Sequence, residues 1–232
     1  MQLFCFTFAG GSASFFDPLG QCIGDPIEVI KLEYAGHGAR RQEPPYDNFS
    51  QLAEDLYGVI RDRYHKGEDY ALLGYSMGSI SVVETLKKIL SLNETPPPVH
   101  IFLAAHEPHT KSELKEYSQA DGDELVKART LHFGGIPESL VNNRSFWRVY
   151  LPVYRADYTL IGRYNFQGLD LKSNIPTTIF YSETDTPYSD MAQWKQFFVG
   201  ECNFVRYEGN HFFIQEHCRE MANVIRRSLL LR

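Results

Sequence analysis

The pentapeptide Gly74-Tyr75-Ser76-Met77-Gly78 follows directly on the apolar run Tyr70-Ala71-Leu72-Leu73 and precedes a segment of helical period, Ser79 to Leu90. This order predicts a strand that stops on a serine, turns sharply and enters a helix. A serine on such a turn sits in a strained backbone conformation that lifts its hydroxyl above the sheet edge. The flanking glycines are needed because a side chain at either position would clash with the neighbouring strand or helix. With a base in reach, that hydroxyl is a nucleophile; without one, the pattern is a β–α turn with a capping serine.

The base in turn needs an acceptor to orient it. In a doubly wound sheet these partners come from loops at the carboxyl ends of strands. The loop after the apolar run Thr177 to Tyr181 holds Ser182-Glu183-Thr184-Asp185, and the loop after Cys202 to Tyr207 holds Glu208-Gly209-Asn210-His211. Among eight histidines, His211 is the candidate base. His37, His106 and His109 also fall in predicted loops, and His106, ending a strand close to the elbow, is expected in the pocket rather than as a base. Asp185 suits the acid; Glu183 and Asp190 compete, Asp190 fitting better as a helix-cap acid. The resulting order Ser, Asp, His is that of α/β-hydrolases. An acyl-transfer serine also needs donors for the oxyanion. The elbow supplies the N–H of Met77. The small-residue loop Phe8-Ala9-Gly10-Gly11-Ser12-Ala13 supplies a second, from Ala9 or, as the alternative, Gly10.

The elements that must position these groups follow from the alternation of short β-rich runs with helical segments, which predicts a mostly parallel sheet with helices on both faces. Strands are expected at Gln2 to Phe8, Ile27 to Tyr34, Asp69 to Tyr75, Val99 to Ala105, Thr177 to Tyr181 and Cys202 to Tyr207. Helices are expected near Phe15 to Ile23, from Asn48-Phe49-Ser50 onward, at Ser79 to Leu90, around Met191 to Phe198, and at Phe213 to Leu230. Residues 107–165 break the rhythm, with helical pieces at Gly122 to Leu131 and Ser145 to Tyr154. They are too long for a connector and read as a helical cap over the carboxyl edge of the sheet, within one domain spanning residues 1–232.

Composition narrows the class. The 232 residues carry 23 basic against 29 acidic side chains, net −6, and no Lys/Arg run longer than two, which argues against a nucleic-acid binder. Cys5, Cys22, Cys202 and Cys218 lie far apart without CxxC spacing, so free thiols are expected and a zinc site is not. No apolar run approaches a membrane span, and with a strand expected from Gln2 onward no signal peptide is expected. The expected location is the cytoplasm.

Five segments, in order along nearly the whole chain, carry a family resemblance. Phe6-Thr7-Phe8-Ala9-Gly10-Gly11 resembles the FPxAGG opening of type II thioesterases, the editing hydrolases of nonribosomal peptide and polyketide synthesis. Gly36-His37-Gly38-Ala39-Arg40 is similar to their PGxGxR segment and Gly74 to Gly78 to their GHSMG elbow. Arg155-Ala156-Asp157 with Tyr164 resembles RADxxxxExY, and Gly209 to Phe213 resembles GxHFF. The resemblance implies an α/β-hydrolase fold, a triad of Ser76, Asp185 and His211, and an oxyanion hole of Ala9 and Met77. It further implies that 107–165 contain a lid over an acyl channel, acyl or peptidyl carrier proteins as partners, and no metal or bound cofactor. Lid aromatics, chiefly Phe133, Phe146 and Tyr150, are then expected along the acyl passage. Arg129, Arg144, Arg148, Arg155 and Arg163 are expected to favour an acidic carrier protein. A carboxylesterase or lipase, and a catalytically idle carrier-binding scaffold, are the rivals. The chain departs from the family at Thr7, at Tyr75 where His is common, at Ala105-His106-Glu107-Pro108, and in an acid loop without glycine.

Overall fold

Six strands, β1 (Gln2–Phe6), β2 (Glu28–Leu32), β3 (Tyr70–Tyr75), β4 (His100–Ala104), β5 (Thr177–Tyr181) and β6 (Cys202–Arg206), pair in parallel in the order β2-β1-β3-β4-β5-β6. The computed structural model describes residues 1–108 and 122–231. Strands β1, β3, β4 and β5 are buried at every position. Both faces of the sheet are covered, which is why these strands read as unbroken apolar runs. Side chains still alternate between faces. Leu3, Cys5, Ala71, Leu73, Phe102 and Phe180 point to one core, while Phe4, Phe6, Leu72, Ile101, Leu103 and Ile179 point to the other.

The first core is closed by α1 (Asp17–Ile23), which contributes Leu19 and Ile23. The second is closed by α2 (Phe49–Arg63) and α3 (Met77–Leu92). Asn48 caps α2, accepting from the Gln51 N–H at 2.9 Å, as its sequence position predicts. Beyond β4 the chain leaves the sheet and, within the described residues, forms α4 (Gly122–Phe133), α5 (Glu138–Val141) and α6 (Arg144–Arg163) before returning to β5. The carboxyl side is completed by α7 (Tyr188–Met191), β6, and α8 (Cys218–Leu230), which packs beside α1. Among the described residues no helix is long and apolar enough to cross a membrane.

Three expected helices differ. The piece expected at Ser145 to Tyr154 runs on through Pro152 to Arg163; its buried stripe Trp147, Leu151, Tyr154, Tyr158 continues past the proline and outweighs one missing backbone bond. The helix expected around Met191 to Phe198 is α7 followed by a 3₁₀ turn at Ala192–Gln196. The last helix begins at Cys218, because Phe213–Gln215 form a separate 3₁₀ turn.

The strand order reverses direction between β1 and β3, and ligands of open α/β sheets bind in the crevice outside such a switch point. The loop after β1 carries Ala9 and Gly10, and the loop after β3 carries Ser76.

Candidate active site

Ser76 has φ +54° and ψ −120°, a sparsely populated conformation that stores strain of order 1–3 kcal/mol. The surroundings leave no alternative. A Cβ on Gly74 would lie 2.3 Å from the Gly78 carbonyl oxygen, and one on Gly78 would lie 2.1 Å from the Phe6 carbonyl oxygen. Both obstacles are backbone and cannot swing aside. The Ser76 N–H is tied to the Ala104 carbonyl at 2.7 Å, so the elbow is held by β4 as well as β3.

His211 Nε2 lies 2.9 Å from Ser76 Oγ, and its Nδ1 lies 2.9 and 3.0 Å from the Asp185 carboxylate oxygens. A carboxylate only accepts, so Nδ1 carries the proton and Nε2 is left to accept from the serine hydroxyl. The His211 and Asp185 side chains are 8% and 9% exposed, which shields this chain of bonds from water. The rival acids stand apart: Glu183 is exposed, and Asp190 is engaged with its neighbour Ser189.

Three hydroxyls that the motifs do not single out hold the base loop. Ser182 Oγ and Thr184 Oγ1 each donate to the Gly209 carbonyl at 2.6 Å, tying the acid loop to the base loop. Tyr75 donates to the His211 carbonyl at 2.7 Å from a fully buried site. The available signal was their position: all three stand where the chain departs from the resembled motifs.

Of the two loop donors weighed for the oxyanion, Gly10 is committed elsewhere: its N–H donates to Asp157 Oδ2 at 2.6 Å. Ala9 lines the cavity above Ser76. Met77 opens α3, where the first N–H groups have no acceptor within the helix. Among the described residues, no hydrogen bond occupies the N–H of Ala9 or of Met77.

The cavity measures about 210 Å³ and is bounded by Ser76, His211, Phe8 and Ala9 below and by Phe133, Tyr154, Tyr158 and Ile161 of the helical insertion above. Phe133 packs its ring 4.5 Å from the His211 imidazole. Phe146 and Tyr150, expected along the passage, do not line it. They stack on each other at 4.8 Å near the start of α6, and Tyr150 is 42% exposed. At 1.5 Å rise per residue, position 146 lies roughly 12 Å along the helix from Tyr154, the first α6 residue in the cavity wall. His106 lines the cavity and donates from Nδ1 to the Glu107 carbonyl at 2.7 Å. His37 lies instead behind the Ala9 loop, 2.8 Å from Asp157. His109 lies outside the described residues.

The arginines also part company. Arg129 lines the cavity, stacked over Phe133 and Tyr158. Arg155 pairs with Asp123. Arg163 closes the last turn of α6. Only Arg144 and Arg148 border a second, outward-facing groove of about 630 Å³ between α4 and α6.

Comparison with known proteins identifies the family. The thioesterase domain family matches residues 1–229. The gramicidin S biosynthesis protein GrsT of Aneurinibacillus migulanus is 28% identical over 238 residues, covering 100% of this chain and 90% of that protein. The RedJ thioesterase from the prodiginine pathway of Streptomyces coelicolor is 26% identical with a TM-score of 0.84, over 98% of this chain and 85% of that one. The type II thioesterase BorB from the borrelidin cluster is 25% identical with a TM-score of 0.83, over 98% and 92%. A match over nearly the whole chain, on an all-parallel sheet with a serine elbow at its switch point, means that the protein belongs to the thioesterase family and has the α/β-hydrolase fold.

Proposed function

We propose that this protein is a type II thioesterase that hydrolyses acyl groups from the phosphopantetheine arm of acyl or peptidyl carrier proteins, in the cytoplasm, during nonribosomal peptide or polyketide synthesis. The observation that carries the reading is the unbroken line Ser76 Oγ, His211 Nε2, His211 Nδ1 and Asp185 at the floor of a cavity walled by aromatic side chains of the helical insertion. Ser76 is the nucleophile. As its oxygen attacks the thioester carbonyl, His211 Nε2 takes the hydroxyl proton. Asp185 holds the imidazole in the required tautomer and stabilises the imidazolium. The N–H groups of Met77 and Ala9 receive the oxyanion of the tetrahedral intermediate. Collapse breaks the carbon–sulfur bond, and His211 returns its proton to the departing pantetheine thiol. Water, deprotonated by the same nitrogen, then cleaves the acyl-serine to carboxylic acid and free Ser76.

Within residues 107–165, of which 109–121 lie outside the described residues, helices α4 to α6 serve as the lid, with Phe133, Tyr154 and Tyr158 on the acyl group. The carrier protein meets the outer groove, where Arg144 and Arg148 have no ion-pair partner among the described residues and Leu131 is exposed. Such a surface suits an acidic partner even though the chain carries net −6.

The test compares kcat/KM on an acyl-carrier protein with that on a free oxyester of the same acyl group, using wild type and Ser76→Ala. Faster turnover of the carrier-bound thioester, abolished in Ser76→Ala, supports the reading. Preference for the oxyester would make the protein an esterase. Retention of more than a few per cent of activity by the variant would move the nucleophile elsewhere. A protein that binds the carrier protein but takes no label from a serine-directed phosphonate would be a scaffold.

A further inference from the structure

The cluster behind the Ala9 loop takes no part in the mechanism above, yet both of its ionisable side chains are almost fully buried. Asp157 is 2% exposed and His37 3%. Asp157 sits on α6 and His37 after β2, so neither belongs to the elbow, the acid loop or the base loop.

We propose that Asp157, charged and paired with His37, is a positioning residue that sets the oxyanion hole from the lid helix. This rests on the assignment of the Ala9 N–H as an oxyanion donor. The His37 ring fixes the charge state. Its Nδ1 faces the Ala35 carbonyl at 3.0 Å and its Nε2 faces Asp157 Oδ2 at 2.8 Å. With Asp157 ionised both partners only accept, so both ring nitrogens carry protons and His37 is an imidazolium. Around it stand Asp157, the Ala35 carbonyl, the edge of Tyr34 at 5.5 Å and, at longer range, Glu33. Burial pulls its pKa down, but the Asp157 charge and hydrogen bond, the Ala35 carbonyl and Glu33 together raise it above the ordinary histidine value. A buried ion pair adds little stability over a well-packed apolar pair, so its use lies in what it holds.

It holds a peptide plane. The same Asp157 oxygen accepts the Gly10 N–H at 2.6 Å, a short charge-assisted bond. The next plane toward the N-terminus is also fixed, because Gly11 N–H donates to the Phe8 carbonyl at 3.0 Å. In a trans peptide the carbonyl and the following N–H point in opposite directions. With the Phe8 carbonyl turned into the loop, the Ala9 N–H of that plane is aimed outward, on the side where Ala9 lines the cavity. Two adjacent planes are thus locked, one by the loop itself and one by α6.

Tyr154, three residues before Asp157 on the same helical face, closes the contact. A Cβ on Gly10 would lie 2.0 Å from Tyr154 Cε1, and Gly10 has φ +74°. The helix that walls the cavity therefore grips the oxyanion loop by a carboxylate and a ring. Asp157→Asn keeps the size and removes the charge; the Gly10 N–H is then left with a weaker, neutral acceptor while the triad keeps its own bonds.

The experiment measures Asp157→Asn on a small acyl thioester that needs no carrier docking, alongside affinity for a trifluoromethyl ketone, whose serine adduct places an oxyanion in the hole, and for an unreactive amide analogue. Misplacement of an oxyanion donor lowers rates by about 10- to 100-fold. The expected result is a fall of that size in kcat with KM and amide affinity little changed, and a matching weakening of the ketone. Unchanged kcat, or a fall in kcat without weaker ketone binding, overturns the proposal. If Asp157→Asn fails to fold, His37→Gln takes its place with the same readouts and a smaller expected loss. The ¹⁵N shifts of His37 in the wild-type protein give an independent check: a doubly protonated ring at neutral pH is expected, and a neutral ring overturns the assignment. Should Ser76→Ala keep activity, the serine reading itself fails. An inactive Ser76→Ala beside an unaffected Asp157→Asn sinks only the positioning role.

Discussion

Tyr75→Phe removes one buried hydroxyl beneath the base. The Tyr75 ring is fully buried among Phe15 at 5.2 Å, Phe213 at 5.6 Å and His211 at 6.3 Å. Phenylalanine keeps that packing and removes only the hydroxyl. The hydroxyl donates to the His211 carbonyl at 2.7 Å, and burial raises its pKa well above the ordinary tyrosine value, so it remains a donor at any working pH. Deleting it forfeits that bond and the longer one accepted from the Ile214 N–H at 3.5 Å, and leaves a desolvated carbonyl short of a partner, for a total of about 2 kcal/mol. In a chain of 232 residues each kcal/mol shifts the melting temperature by about 2–4 °C, so thermal unfolding should come about 4–8 °C earlier. Catalysis should suffer less. Asp185 still orients the imidazole, and Ser182 and Thr184 still fasten Gly209, so kcat should fall by less than about tenfold, or about 1.4 kcal/mol. Calorimetry and steady-state kinetics read the two effects separately. An unchanged melting temperature would show that the carbonyl finds another donor. A loss of a thousandfold or more would mean that Tyr75 acts on the reacting atoms, against the geometry.

Asp185→Asn should lower kcat by about ten-thousandfold with little change in KM, while Asp190→Asn stays near wild type; kinetics in the reverse order would move the acid to Asp190. Gly78→Ala drives a Cβ to 2.1 Å from the Phe6 carbonyl and should destabilise by at least the roughly 1–3 kcal/mol of ordinary overpacking, read as a lower denaturant midpoint. Arg144→Glu with Arg148→Glu should slow association with acyl-carrier protein at low salt, fade at high salt, and leave a short acyl-pantetheine mimic untouched; equal loss on the mimic would take docking away from this groove. Because the His37 pKa is raised on folding, its contribution to stability is complete below the unfolded value of about 6.5 and is lost as pH rises through the folded value. The stability gap between wild type and His37→Gln should therefore narrow on going from pH 6 to pH 9, and a gap that widens would reverse the sign of the argument.

The sheet and the elbow were legible because their signals are local. Thr177 to Tyr181 reads as a strand from its own β-rich composition and is one to the residue. The two glycines of the elbow announce a close approach that the neighbouring carbonyls then explain. Asn48 declares the start of α2. Misreadings arose where local pattern and tertiary packing compete. Phe213 and Ile214 continue the helical period of the last helix, yet both are spent on the core beside Tyr75 and Tyr207, and α8 starts only after His217. Phe146 and Tyr150 belong to the same aromatic-rich helix as Tyr154, and composition alone does not tell which end reaches the cavity.

The candidate catalytic residues were more legible than the residues that hold them in place, and the reason is physical. A nucleophile, an acid and a base must each sit at the carboxyl end of a strand, so their loops carry distinctive short sequences. Their supports are single bonds to backbone atoms far away in the chain: Tyr75 to the His211 carbonyl across 136 residues, Asp157 to the Gly10 N–H across 147. A backbone acceptor or donor has no residue identity, so such a bond imposes no recognisable partner on the sequence. It requires only a hydroxyl or carboxylate at one position, buried where the fold happens to bring it. That is why a departure such as Tyr75 reads from sequence as a change of side chain, and in the structure as a different way of holding the same histidine.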